Sequence, residues 1–143
     1  MLTPAYICGF VDGEGCFYIL NTERIACEFQ VSQKKRAVLD QMREYFGCGY
    51  VKTKYDVGNT HAYIVKSVQD LATKIVPFFR EHPLIVKREQ FERFAQVVEI
   101  QRSKAHLTAE GKLKVAYLKS GTSETIRQAP TNVLDEDIVR PAW

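Results

Sequence analysis

Thr3-Pro4-Ala5-Tyr6-Ile7-Cys8-Gly9-Phe10-Val11-Asp12-Gly13-Glu14-Gly15 is the stretch from which the rest of this chain can be read. It predicts a short helix that stops at acidic residues set among glycines. Thr3 can accept the first free backbone N–H groups, and Pro4 suits the first helical position. Ala5, Gly9 and Gly13 recur every four residues, so they stack on one face and leave almost no side-chain bulk there. Packed helices usually lie about 8–10 Å apart, set by the side chains at the contact, so this face permits a closer approach than most. Glu14 follows at the open end of that face. A second copy of the helix packed here would bring two carboxylates together at the seam.

Downstream of Gly15 the period changes. Cys16-Phe17-Tyr18-Ile19-Leu20 is aromatic and β-branched, as strands prefer. Asn21-Thr22-Glu23 supplies a turn, after which Ile25, Cys27, Phe29 and Val31 alternate with Arg24, Ala26, Glu28, Gln30 and Ser32. One side of that strand is apolar and the other polar. Lys34 to Phe46 returns to helical spacing and Gly47 closes it. A second hairpin runs from Tyr50 to Tyr55, turns at Gly58-Asn59 and returns over His61 to Lys66. Ser67 and Asp70 begin another helix, with Pro77 and Pro83 bracketing its end. A long helix follows from about Val86 to Arg102, with Phe91, Phe94, Ala95 and Val98 as its core stripe and Arg88–Glu92 and Glu89–Arg93 as exposed pairs. Ala109 to Lys119 reads as a further helix broken at Gly121, and Thr122 as the start of another. The order α-β-β-α-β-β-α, with extra C-terminal helices, predicts an α+β fold: an antiparallel sheet with helices on one face.

The N-terminal stretch resembles the signature motif of the LAGLIDADG homing endonucleases. Ile7 to Gly15 matches the family pattern of an apolar residue, a small residue, Gly, two apolar residues, then acid-Gly-acid-Gly. An isolated acid among glycines is ordinarily a turn residue; the complete pattern, in this order and near the N-terminus, is what carries the resemblance. It extends over roughly residues 3–102, with echoes near Thr122. The motif occurs once, and single-motif members of the family work as homodimers, so the resemblance implies a homodimer with Ala5, Gly9 and Gly13 at its interface. The self-complementary small-residue face gives that a physical basis.

At 143 residues the chain is long enough for one well-buried domain, taken as residues 1–128, with 129–143 as an acidic extension. Composition is globular, 45% hydrophobic and 26% charged. No apolar run approaches the roughly 20 residues needed to span a bilayer, and the N-terminus is no signal peptide, so a non-secreted, intracellular protein with no membrane partner is expected. The net charge of +3 is uneven: without Ala129 to Trp143, 19 basic residues face 14 acidic ones. That bias suits a polyanionic partner without identifying one. Cys8, Cys16, Cys27 and Cys48 form no Cys-x-x-Cys pair, and His61, His82 and His106 are not spaced to join them, which favours buried free thiols over a zinc site.

Hydrolysis of a phosphodiester needs a metal ion, activated water and charge stabilisation. Glu14 is a hard oxygen ligand suited to Mg²⁺, with Mn²⁺ and Ca²⁺ as other ions able to bind there. Resemblance to the family adds the Gly13 carbonyl as a further ligand. Asp12 fits less well as a ligand and is expected to hydrogen-bond at the helix end. Gln33, in the strand end that is similar to the family's approach to its active site, would position water. Lys87 shares the face of Phe91, Phe94 and Val98, so it either snorkels outward or reaches a nearby anion; in the family's frame it is a catalytic cation. Lys35 and Arg36 both stand where the family often has another basic residue, and the sequence does not choose between them. The polar side of the sheet would read DNA: Arg24, Glu28 and Gln30 from the second strand, Lys52 and Lys54 from the third, with Lys66, Tyr18 and Leu20.

The resemblance therefore implies a Mg²⁺-dependent, site-specific endonuclease without a small-molecule cofactor. It would cut a long pseudo-palindromic duplex as a homodimer and leave short 3′ overhangs, in a bacterial cytoplasm or an organelle. A second reading is a non-cleaving nucleic-acid-binding module on the same fold, an intron RNA maturase or a DNA-binding regulator.

Overall fold

The structure, a computed structural model, describes residues 1–21, 23–55 and 58–120. The expected start of a helix at Thr122, the acidic extension and the end of the 1–128 domain lie outside the described residues.

Helix α1 spans Pro4–Glu14, capped by the Thr3 hydroxyl, which accepts the Tyr6 N–H at 3.2 Å. Its inward face is Ile7 and Val11, both fully buried. Strand β1 (Gly15–Asn21) follows with no intervening loop. Gly15 makes that junction possible: its N–H donates to the Val11 carbonyl, and a Cβ there would stand 2.7 Å from the Val11 side chain. No larger residue fits the turn without a shift of the helix end. Strand β2 (Ile25–Gln33) pairs antiparallel with β1, Phe17 opposite Phe29. Helix α2 (Arg36–Phe46) then packs beneath the sheet and ends on Gly47, left-handed at φ 69°, a conformation that costs glycine least. Strands β3 (Tyr50–Lys54) and β4 (Thr60–Val65) form the second hairpin. Strand β4 also pairs with β2, so the sheet order is β1-β2-β4-β3, antiparallel throughout.

Helix α3 (Val68–Asp70) begins at Ser67, whose hydroxyl accepts the Asp70 N–H, and widens into a π turn over Leu71–Ile75 before α4 (Val76–Glu81). Pro77 and Pro83 bracket the end of this segment as expected, with Pro77 inside its last helix and Pro83 just past Glu81. Proline lacks an N–H and crowds the carbonyl one turn back. The wide turn ahead of it, closed by Val76 N–H to Leu71 O, absorbs the conflict. Helix α5 (Arg88–Arg102) starts two residues later than its apolar pattern predicts, and α6 (Ala109–Ser120) follows a single 3-10 turn at Ala105–Leu107. Of the two ion pairs expected along α5, Glu89–Arg93 forms at 3.0 Å. Glu92 instead reaches Arg80 of α4 at 3.3 Å, a tertiary partner that helical spacing does not reveal.

The core lies between the sheet's inner face and the helices. Phe17 is its hub, with ring centroids 5.1–5.7 Å from those of Phe29, Phe79, Phe91 and Phe94. Tilted and edge-on pairs of this kind add about 0.5–1.5 kcal/mol each beyond area burial. They lock α4 and α5 onto β1 and β2, and so fix where the first residues of α5 meet the end of α1. Tyr63 is fully buried, and its hydroxyl donates to the Cys48 carbonyl at 2.7 Å, which satisfies the one polar atom it brings inside.

Candidate active site and nucleic-acid interface

The last turn of α1 presents three different environments in three consecutive residues. Asp12 is half-buried, whereas Gly13 and Glu14 are exposed. The Glu14 carboxylate makes no hydrogen bond or ion pair among the described residues. A carboxylate left open to solvent at the end of a helix keeps its lone pairs for a ligand.

Asp12 is fully engaged. Its Oδ2 accepts the Ile85 N–H at 2.9 Å, and Oδ1 accepts the N–H groups of Val86 and Lys87, both at 3.1 Å. These donors lead into α5, and the first N–H groups of a helix have no acceptor within it. The expected role at a helix end therefore holds, but the helix is α5, more than seventy residues away in sequence, not α1 itself.

Lys87 is the N-cap residue of α5 and only 6% exposed. Its Nζ donates to the Val11 carbonyl at 3.2 Å. It does not snorkel to solvent; it is held against the end of α1. Burial lowers its pKa from the ordinary lysine value, and the nearby Cys16, Asp12 and Glu14 oppose that shift. The structure thus brings Lys87 and Glu14 into one electrostatic neighbourhood.

Gln33 closes β2. The register places Val31 opposite Gly15, so Gln33 runs two residues past the start of β1, alongside the helix end that carries Glu14. Its Oε1 accepts the Lys34 N–H at 2.7 Å, which leaves the amide NH₂ for another partner. Lys35 and Arg36 are both exposed at the start of α2. Arg36 is turned along its own helix to Asp40 at 3.3 Å, and Lys35 makes no such pair among the described residues.

On the sheet, side-chain alternation and register put Tyr18 and Leu20 of β1, Glu28 and Gln30 of β2, and Lys52 and Lys54 of β3 on the same outer face. Lys66, one residue past β4, joins them: its Nζ lies 3.4 Å from Glu28 Oε1, and this carboxylate raises the lysine's pKa. Glu28 also accepts from Gln30 Nε2 at 2.8 Å, so it orders two donors at once. Arg24, expected on β2, lies in the bend just before it. Ser32 and Tyr50 belong to this face as well, Tyr50 42% exposed beside Lys52 and Lys54. The alternation Tyr50-Lys52-Lys54 already carried the signal for Tyr50.

Ala5, Gly9 and Gly13 all face solvent, and a Cβ added at Gly9 or Gly13 would meet nothing within 4 Å. Tyr6 and Phe10 of the same helix hold their rings 6.0 Å apart. No helix among the described residues is long and apolar enough to cross a membrane.

Among the described residues no three His, Cys, Asp or Glu side chains gather into a metal cluster. The donor set at the end of α1 is one open carboxylate and the neighbouring Gly13 carbonyl. All-oxygen donors in that number fit Mg²⁺, which keeps several waters and shares phosphate oxygens rather than filling a protein cage.

An antiparallel sheet with helices on one face, and an acid-terminated helix at its edge, define the architecture of a LAGLIDADG-type domain. The family model for LAGLIDADG endonuclease matches residues 7–98, and the chain belongs to that family. It is 36% identical over 120 residues to a Podospora anserina protein named "Uncharacterized 50.9 kDa protein in ND4 intron 1", covering 75% of this chain and 26% of that one. It is 30% identical over 105 residues to "Homing endonuclease I-ApeII" of Aeropyrum pernix, covering 68% of this chain and 63% of the relative. Among solved structures, the LAGLIDADG homing endonuclease I-GzeII in complex with its DNA target superposes with a TM-score of 0.82 at 27% identity, over 90% of this chain and 46% of that one. The chain thus spans between a quarter and two thirds of the length of these proteins.

Proposed function

We propose that this chain is a site-specific DNA endonuclease that cuts both strands of a long, pseudo-palindromic duplex as a homodimer. The observation that carries the reading is Glu14: an unengaged carboxylate at the end of a small-residue helix face, next to a buried lysine. Two α1 helices meeting on Ala5, Gly9 and Gly13 set two Glu14 side chains side by side, one for each scissile strand. That the solved I-GzeII chain, bound to its DNA target, is about twice the length matched here supports a working unit made of two such domains.

In this reading Glu14 and the Gly13 carbonyl hold Mg²⁺, which when bound polarises the phosphate and makes water a better nucleophile. The Gln33 amide orients the attacking water by hydrogen bonding, without ionising. Lys87 supplies positive charge where negative charge develops on the phosphate, in a site poor enough in water for the charge to count. Lys35, which makes no ion pair among the described residues whereas Arg36 is paired with Asp40, serves the outer phosphate. The outer face of the sheet lies in the major groove, where Gln30 matches adenine and Lys52, Lys54 and Lys66 match guanine or phosphate. Cleavage across the minor groove leaves short 3′ overhangs. The protein acts inside its host, in a bacterial cytoplasm or an organelle.

The test is cleavage selection on a library of random duplexes with Mg²⁺, followed by sequencing of the cut ends. A recovered symmetric consensus with 3′ overhangs, lost in Glu14→Gln, supports the reading. Stimulated intron splicing with no nicking of any duplex in Mg²⁺, Mn²⁺ or Ca²⁺ would overturn it in favour of an RNA maturase.

A further inference from the structure

We infer that Asp12 is a positioning residue: its carboxylate clamps the start of α5 to the end of α1, and thereby fixes Lys87 at the helix end that carries Glu14. This inference rests on the nuclease reading for its consequence, but its geometry stands apart from it.

Leu84 is buried in the core, but the two residues between it and Lys87 have no apolar anchor of their own. Ile85 and Val86 are 87% and 75% exposed, so neither side chain anchors the backbone. Their N–H groups and that of Lys87 converge instead on one carboxylate at 2.9–3.1 Å. A carboxylate offers about four lone-pair sites, and three backbone donors occupy most of them. Asp12 is therefore spent on the protein and has little left for a metal ion, although it sits two residues from Glu14. The residue before it, Val11, takes the Lys87 ammonium at 3.2 Å. Consecutive residues of α1 thus hold Lys87 twice, by its backbone N–H and by its side chain. The acid-Gly-acid spacing separates two tasks: the first acid sets the frame and the second stays open.

The experiment compares Asp12→Asn with the wild-type full chain on a duplex carrying the selected target. Asparagine keeps one acceptor oxygen but replaces the other with a donor, which cannot accept the Ile85 N–H. The single-turnover cleavage rate should fall about 10–100-fold, the loss expected when a reacting group shifts by about an ångström. The Kd for DNA in Ca²⁺ and the Mg²⁺ concentration giving half-maximal rate should each change less than about twofold. Amide hydrogen exchange should accelerate at Ile85, Val86 and Lys87 and stay unchanged at Ile7 and Val11. Asp12→Asn added to Lys87→Met should cost no further activity. A tenfold rise in the Mg²⁺ requirement would overturn the inference by making Asp12 a ligand, and additive losses in the double variant would overturn it by uncoupling Asp12 from Lys87. If Asp12→Asn does not fold, Asp12→Glu, with both oxygens displaced by one methylene, replaces it under the same criteria. If the wild-type chain cuts no duplex, the nuclease reading falls and exchange alone decides: unaltered protection of the three amides in the variant overturns the clamp.

Discussion

The ammonium of Lys87 donates to the carbonyl of Val11 across more than seventy residues of sequence, and that carbonyl already accepts the N–H of Gly15. The lysine is not needed to satisfy the helix end. Its burial lowers its pKa, which marks the charged form as disfavoured where it stands. On the proposed reading, a cation kept in a costly place near an open carboxylate is stability given up for chemistry.

Lys87→Met should therefore separate the two properties. Methionine fills the same volume, Val11 O keeps the Gly15 N–H, and no buried charge remains. Thermal unfolding at neutral pH should show a Tm equal to or above that of the wild type, while cleavage drops by about 10²–10³-fold, as for other lost charge-stabilising donors. The sign of the pH effect follows from linkage. With the native pKa below the unfolded one, the unfolded chain binds more protons between the two values, so this residue makes wild-type stability rise with pH in that alkaline window. The variant should lack that slope. A lower Tm for Lys87→Met at neutral pH would show that the lysine is structural.

Glu14→Gln should be silent in the fold. The side chain is exposed and unpaired among the described residues, so unfolding free energy should move by less than about 0.5 kcal/mol. Cleavage in Mg²⁺ should disappear, and gel-shift affinity for the same duplex in Ca²⁺ should be kept within a few-fold. Retained cutting would remove Glu14 from the site.

Much of this arrangement is legible in the sequence because it is written in short range. Thr3, Pro4 and Gly47 mark helix ends by local chemistry, and the alternation from Ile25 to Val31 gives both the strand and its polar face. What is not legible is what folding brings from afar. Nothing near Asp12 predicts that its acceptors serve residues 85–87. Nothing in α5 predicts that Glu92 prefers Arg80. Pro77 and Pro83 mark where this helical segment ends, but the π turn that makes room for Pro77 is invisible to 3.6-residue periodicity. Lys87 shows both sides: its place on the apolar stripe is readable, but only the meeting of α1 with α5 decides between solvent and site.

The outer face of the sheet carries a quantitative expectation. Lys52 and Lys54 stand on alternate positions of β3, on the same side as Gln30. If both meet phosphates, replacing them with alanine should weaken binding to all duplexes alike. The dependence of log K on log salt should fall by about 0.9 for each phosphate no longer neutralised. Glu28→Gln acts differently. It releases Lys66 and Gln30 from a shared carboxylate. Discrimination among bases should then relax while the salt slope stays level or steepens. Fluorescence anisotropy from about 50 to 200 mM salt measures both. A Lys52/Lys54 double variant with an unchanged slope would take β3 out of the DNA interface.

Gly9→Leu tests the face on which the proposed dimer depends. Within one chain this position is open: a Cβ at Gly9 meets nothing within 4 Å, and the residue is exposed. Leucine is also a better helix former than glycine by roughly 0.8 kcal/mol. Folding alone gives no reason for glycine here, and the variant should melt at or above the wild-type temperature. Association is another matter. Two helices brought close on Ala5, Gly9 and Gly13 have no room for an isobutyl group at the crossing, and a symmetric interface suffers the clash twice. Sedimentation equilibrium should show a dimer for the wild type and a monomer for Gly9→Leu, with double-strand cleavage disappearing in parallel. A wild-type chain that stays monomeric even on its duplex, or a Gly9→Leu chain that still dimerises, would mean that the carboxylates of Glu14 do not meet through α1.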